Sequence, residues 1–267
     1  MSQIDPSAKV HSSAVIEPGA VVGPGCEIGA FCLVGSEVRL GANTILHSHV
    51  VVKGDTEMGA DNEVFSFAVI GEIPQDLKFD GEKTKLTIGD RNRIREHVTI
   101  NTGTVGGGGL TSIGDDCLLM AGCHVAHDVH VANRVIVVNN VALGGHAIIE
   151  DEVIIGGLSG IHQFVRIGRG AIIGAVTMVA HDVIPYGLVQ GPRGALDGLN
   201  LVGLKRRGVE RTDIMALRAA FQMMAQGEGT FADRVKRMGG DTDSAYVHQI
   251  VDFVTAESGR AFLTPGD

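Results

Sequence analysis

A chain of 267 residues with 44% hydrophobic content, 38 Gly and no Trp is too apolar to be disordered, and without a strict G-X-Y period it is not collagen. Its formal net charge of −9 gives no bulk attraction to nucleic acid or anionic lipid. No N-terminal segment reads as a secretory leader and no run approaches the apolar length of a membrane span, so a cytoplasmic protein with no transmembrane segment and no nucleic-acid partner is expected.

From Ile4 the chain places an aliphatic residue at every sixth position: Val10, Ile16, Val22, Ile28, Val34, Leu40, Leu46 and Val52, with Met58, Val64 and Ile70 holding the same phase. An even period suits strands, whose side chains alternate between faces, and not a helix of period 3.6. Four residues after each aliphatic the residue is usually small or β-branched, as at Ala8, Ala14, Ala20, Cys26, Cys32 and Thr44. One large and one small inward side chain per hexad fits a narrow interior. Residues 71–87 lose the phase and put Asp76 and Glu82 where apolar residues should stand. The phase returns at Ile88, Ile94 and Ile100, and residues 103–112 (GTVGGGGLTS) then shift it by one. From Ile113 it runs unbroken to Val179. Irregular excursions from a rigid solenoid commonly carry function. All four cysteines (Cys26, Cys32, Cys117 and Cys123) fall in the small inward slot, and their spacing is not C-x₂₋₄-C. They read as core residues rather than metal ligands.

After Pro185 the repeat ends, and residues 186–203 read as a Gly-rich connection. Thr212 reads as the N-cap of a helix with Ile214, Leu217, Phe221 and Met224 on one face. Thr230–Met238 and Ser244–Glu257 read as two further helices. The expected division is a repeat domain over 1–190, with excursions at 71–87 and 103–112, and a helical domain over 191–267 that caps the last coil.

The repeat resembles that of the hexapeptide-repeat acyltransferase superfamily. The resemblance implies an all-β left-handed parallel β-helix of three hexads per coil and about nine coils, followed by a C-terminal α-helical domain. At about 4.8 Å per coil the prism would be roughly 43 Å long. Residues 18 apart then stack in a column, which aligns His127, Gly145, Gln163 and His181, with His146 and His162 each one residue away. His124 and His130 belong to the same histidine-rich stretch. Acyl transfer from a thioester to a hydroxyl needs a base, and a nearly neutral imidazole suits that task. It needs an oxyanion donor, and an exposed glycine N–H is the simplest. Asp128 is available to orient His127. A thioester is already activated, so no covalent intermediate is required, and no G-x-S-x-G element is present. A competing reading takes His124, His127 and His130 as ligands of a zinc ion, as in the γ-type carbonic anhydrases.

Several segments narrow the resemblance to the UDP-N-acetylglucosamine O-acyltransferases of lipid A biosynthesis. They are IGEIPQDLKF (70–79), IGDRNRIREHVTIN (88–101), GGGLTSIG (107–114), LLMAGCHVAHDV (118–129), NNVALGGH (139–146), IHQF (161–164) and GLNLVGLKRRG (198–208). The resemblance implies that a 3-hydroxyacyl chain moves from acyl carrier protein to the 3-hydroxyl of the UDP-sugar. It casts His127 as general base, Asp128 as its orienting partner and the N–H of Gly145 as oxyanion donor. Asp76, Lys78, His124, His146, His162 and Gln163 would line the substrate cleft. Asn200, Arg206 and Arg207 would meet the nucleotide end, where Arg suits phosphate geometry. Ala175 stands where acyl-chain length is set. The family is a homotrimer with sites between subunits. No metal or resident cofactor is implied, since the phosphopantetheine arrives on the carrier protein. The chain departs from the family at Asn101, often His, and at Val202, often acidic. Acyl carrier protein is acidic, so Arg166, Arg169, Lys205, Arg206, Arg207, Arg211 and Arg218 are candidates for its docking. The related N-acyltransferase is an alternative that usually carries a separate uridine-binding domain before its repeat. A purely structural solenoid would leave QDLK and HVAHD unexplained.

Overall fold

The structure is a computed structural model that describes residues 1–226, 228–240 and 242–265; residues 227, 241, 266 and 267, included in the expected helical domain, lie outside the described residues. Each hexad folds as a two-residue strand and a corner, as at Val21–Val22, Glu27–Ile28 and Leu33–Val34. The second strand residue is the repeat aliphatic and is buried, while its predecessor faces outward. Among the described residues the strands form three sheets of nine, eleven and nine strands, parallel except for the last strand of the second, and these sheets are the faces of the prism. Here they are called the first, second and third faces, beginning at Gln3–Ile4, Lys9–Val10 and Val15–Ile16. The register advances by one coil per three hexads, so that Thr99, His124, Ala142, Gly160 and Met178 form one ladder.

Most corners turn through a left-handed residue, among them Asn43, His49, Asp61, Asp128, His146 and Phe164, all near φ +60°. That conformation is unfavourable for a side-chain-bearing residue. The interlocking backbone ladder holds it, with Val21 N–H donating to Val38 O and Gly23 N–H to Leu40 O one coil on, each at 2.9 Å. The interior is a column of fully buried side chains that includes Leu46, Met58, Ile94, Leu119, Leu143 and Ile173. The four cysteines are buried there as free thiols, as their slot in the repeat predicts. Burial pushes the thiols of Cys117 and Cys123 up to about 11. At the N-terminal end the same aliphatic phase is not fully covered: Ile4 is 41% exposed, and Val10 and Ile16 are half-buried.

Both excursions leave from one edge, where the third face turns into the first. One departs after Val69–Glu72 and returns at Lys85–Ile88, which pairs with Asp55–Met58. The other departs after Thr99–Asn101, makes a short 3-10 turn at Val105–Gly107 and returns at Leu110–Ile113.

The segment 186–203 is more ordered than its composition predicts. Gly187–Gln190 continues the second face in parallel with Ile172–Ile173, then pairs antiparallel with Ala195–Leu199. Left-handed Gly191 and Gly194 make the turn, and Val189 and Leu196 bury against the end of the core. Among the described residues four helices follow: α1 (Leu201–Arg206), α2 (Arg211–Ala225), α3 (Phe231–Met238) and α4 (Ala245–Thr255). The cap of α2 is Glu210 in extended conformation, not Thr212, which lies inside the first turn. Asp213 of that turn accepts instead from the Ser244 hydroxyl at 2.6 Å, tying α2 to the start of α4. Thr230 caps α3 in a reciprocal box with Asp233. Beyond α4 the chain folds back on the last coil, where Asp182 N–H donates to Ala261 O and Leu263 N–H to Asp182 O.

Candidate functional site

The edge that releases both excursions also carries His127. Its strand is His124–Val125 on the third face, and the next residue, Asp128, takes the left-handed turn at φ +58°. Neighbours on a continuing strand point to opposite faces. The turn at Asp128 removes that divergence and sets its carboxylate beside the ring before it. His127 Nδ1 lies 2.8 Å from Asp128 Oδ2, with His127 7% and Asp128 1% exposed. The carboxylate can only accept, so Nδ1 carries a proton, and in the neutral ring Nε2 is the nitrogen with the free lone pair.

One coil on, Gly145 lies directly under the ring. A Cβ built there would meet His127 Cε1 at 2.7 Å and Nε2 at 2.8 Å, so the imidazole occupies space that any other residue would fill. The neighbours of Gly145 spend their amides on the ladder, Gly144 N–H on Ile161 O and His146 N–H on His127 O. The Gly145 N–H donates to nothing among the described residues. A free N–H beside a free imidazole nitrogen is the donor-and-base pair that acyl transfer requires.

His146 takes the left-handed turn one coil beyond Asp128. Its ring lies flat on Phe164, with centroids 4.3 Å apart, and edge-on to His127 at 5.0 Å. Burial pulls its pKa below the usual imidazole value against the opposing pull of the Asp128 and Asp76 carboxylates. The first excursion thus brings Asp76 within electrostatic reach of the histidines. His124 Nδ1 is 2.8 Å from Thr99 Oγ1, and burial pulls its pKa down as well, with His127 adding to the shift. Lys78 and Gln163 are exposed. Asn101 is buried, and its amide nitrogen donates to Ile73 O at 2.9 Å and pins the start of the first excursion. Its Oδ1 has no partner among the described residues.

His162 is exposed at the same edge, and Arg260 Nη2 donates to its Nδ1 at 2.8 Å. Arg260 comes from the tail beyond α4, and nothing in the sequence singles it out. It is delivered by the fold-back around Asp182, whose carboxylate also takes Arg166 at 2.8 Å and the Ser258 hydroxyl at 2.7 Å. Between this tail and the coils lies a cleft of about 470 Å³ lined by His146, Ile148, Phe164, Arg166, Ser258 and Arg260.

The remaining expected site residues are not at this edge. Asn200 is buried beside the turn from first to second face, where its Oδ1 accepts from Gly203 N–H at 2.9 Å and its Nδ2 donates to Gly170 O at 3.0 Å. It caps α1 and pins that helix to the coil. Arg207 stands at the same turn and pairs with Glu152 at 3.2 Å, while Arg206 is exposed. Ala175 is exposed on the third edge, where the second face turns into the third. The zinc reading does not survive the geometry. His124 bonds Thr99 and His130 bonds Ser112, on different faces of the prism. The group with converging ligand atoms among the described residues is His127, Asp128 and His146, and the Asp128 oxygens there already take three donors.

Comparison with known proteins follows the same lines. Residues 182–263 match the family described as UDP N-acetylglucosamine O-acyltransferase, domain 2, and residues 110–145 match the bacterial transferase hexapeptide family. The chain is 63% identical over 203 residues to the acyl-(acyl-carrier-protein)–UDP-N-acetylglucosamine O-acyltransferase of Paracoccus denitrificans, covering 76% of this chain and 77% of that protein. It is 45% identical over 219 residues to the enzyme of the same name from Agrobacterium fabrum, covering 81% of each. Its fold is similar to the solved UDP-N-acetylglucosamine acyltransferase of Campylobacter jejuni, with a TM-score of 0.91 at 36% identity over 96% of this chain and 99% of that one.

Proposed function

Because the chain belongs to the UDP-N-acetylglucosamine O-acyltransferase family, we propose that it transfers a 3-hydroxyacyl group from acyl carrier protein to the 3-hydroxyl of UDP-N-acetylglucosamine, the first step of lipid A biosynthesis. The observation that carries the mechanism is the His127–Asp128 pair set directly over Gly145. His127 Nε2 takes the proton of the sugar hydroxyl as its oxygen attacks the thioester carbonyl. The resulting oxyanion accepts the Gly145 N–H, and Asp128 stabilises the imidazolium. Collapse breaks the C–S bond, and the leaving phosphopantetheine sulfur takes the proton back from His127. No metal or resident cofactor enters these steps.

His124, His146, His162 and Gln163 line the sugar and thioester side, with Asp76 and Lys78 supplied by the first excursion. Arg206 and Arg207 serve the nucleotide phosphates on a helix that Asn200 holds in place. They lie on a different edge of the prism from His127. A homotrimer that sets one copy's α1 edge against the next copy's His127 edge would complete each site. Of the basic residues, Lys205, Arg206, Arg211 and Arg218 are exposed and suited to an acidic carrier protein, whereas Arg166, Arg169 and Arg207 are engaged by Asp182, Asp151 and Glu152. Ala175 would leave room for a longer chain than a bulky residue there. No described helix is long and apolar enough to cross a membrane, and with soluble substrates we place the reaction in the cytoplasm.

The test is a transfer assay with carrier proteins bearing several 3-hydroxyacyl lengths, offered UDP-N-acetylglucosamine or its 3-amino analogue, with products read by mass. An ester on the ordinary sugar supports the proposal. Turnover confined to an amino acceptor would assign the chain to amide formation instead.

A further inference from the structure

The second excursion closes over Asp128, and the proton-transfer mechanism gives it no part. Thr104 faces the carboxylate with two donors. Its backbone N–H reaches Asp128 Oδ1 at 2.8 Å, and its hydroxyl donates to Oδ2 at 2.6 Å. That Oδ2 is the same oxygen that takes the His127 Nδ1 proton. On the other side, the Asp128 N–H donates to Thr111 Oγ1 at 2.8 Å, at the point where the excursion rejoins the coil.

The glycines of the excursion have distinct duties. A Cβ on Gly107 would stand 2.1 Å from Asp128 Cγ, and one on Gly103 would stand 2.8 Å from Oδ1. The first would push the carboxylate out of place, and the second would also strike the backbone of Gly109 and Leu110, where the loop returns. Gly108 and Gly109, at φ +94° and +78°, turn the chain back so that Gly109 N–H can close on Thr104 O at 2.8 Å. The loop is stapled to the coil by Gly103 N–H to Lys85 O and Lys85 N–H to Gly109 O. An ionised carboxylate taken out of water is costly unless donors surround it. Here Thr104 supplies the donors that water would otherwise supply, and fixes the direction of the lone pair left for His127.

We propose that residues 103–111 form a collar that fixes the Asp128 carboxylate for its work on His127, with Thr104 as the positioning residue. The collar rests on the assignment of His127 and Asp128 as the base and its partner. Its effect falls on the catalytic step and not on substrate affinity, because Thr104 acts through Asp128 and not on the substrate.

The experiment compares Thr104→Val, Thr104→Ser, His127→Ala and the parent chain for kcat, KM and thermal midpoint, with acyl carrier protein and UDP-N-acetylglucosamine as substrates. Thr104→Val keeps the volume and the backbone donor but loses the hydroxyl. Loss of a hydrogen bond to a charged group predicts a fall in kcat of about 10- to 100-fold with KM within about twofold. Thr104→Ser restores the hydroxyl and should return kcat to within about threefold of the parent. Thr104→Val at parental kcat, with His127→Ala inactive, overturns the collar and spares the base. Equal losses in Thr104→Val and Thr104→Ser also overturn it, since the hydroxyl would then not be the active feature. Parental activity in His127→Ala overturns the base assignment and the collar with it.

Discussion

Replacing Gly145 by alanine probes the site with a single methyl group. The new Cβ would sit 2.7 Å from His127 Cε1, where ordinary contact begins at 3.4 Å. The imidazole must therefore retreat by about 0.7 Å or rotate, and either motion stretches the 2.8 Å bond to Asp128 and moves Nε2 off its line to the acceptor. A misplacement of this size costs about 10²-fold in rate, or about 2.7 kcal/mol in the transition state. The fold should be spared. Gly145 is not in the left-handed region, so alanine brings no backbone strain, and losing glycine's freedom in the unfolded chain favours the fold by about 0.5 kcal/mol. Gly144→Ala is the control, because its Cβ would meet Gln163 N and Ile161 O, backbone atoms of the next coil, at 2.8 Å. Steady-state transfer kinetics and thermal melts on both variants separate the effects. Gly145→Ala should lose kcat at an unchanged midpoint, and Gly144→Ala should lose stability. A Gly145→Ala enzyme with parental kcat would refute the placement of the ring over this glycine as the arrangement that catalyses.

Two further outcomes follow from burial. His124 and His146 are both held below the usual imidazole pKa of about 6.5, chiefly by burial. Below that value the unfolded chain binds protons that the folded chain refuses, so stability is full above pH 6.5 and falls as the pH is lowered through the folded-state pKa values. The drop in thermal midpoint between pH 7.5 and pH 5 should be smaller in His124→Gln than in the parent; an equal drop would contradict the burial argument for His124. The thiols of Cys117 and Cys123, pushed up to about 11, and those of Cys26 and Cys32, also raised by burial, are protonated and enclosed. A disulfide reagent at pH 8 should label them only after denaturation, and rapid labelling of the native protein would show that the small inward slot is open.

The repeat was legible because a period of six maps one-to-one onto a two-residue strand and a corner, so that each aliphatic from Val22 to Val179 points inward. The column of His127 and Gly145 followed from the 18-residue coil. The pairing of His127 with Asp128 was expected from their adjacency and from the resemblance; alternation along a strand argues against it, and the left-handed turn at Asp128 is what permits it. Thr104 and Arg260 were not legible as site residues. They lie 24 positions from Asp128 and 98 from His162, in segments without periodicity, and meet their partners only because an excursion and a tail close over one edge. Residues 186–203 misled for a different reason. Glycines that look like slack between domains make the turn of a hairpin that covers the last coil, and Asn200 begins a helix there. The position of Thr212 shows the limit of capping signals. Glu210 starts α2 by backbone conformation alone, with no side-chain hydrogen bond.

The central claim is that His127 Nε2 removes the acceptor proton. Single-turnover transfer by His127→Ala, measured with saturating acyl carrier protein and UDP-N-acetylglucosamine and checked for an unchanged thermal midpoint, tests it most directly. The account predicts a fall of at least about 10² in the transfer rate. A folded His127→Ala protein that transfers at close to the parental rate would contradict it.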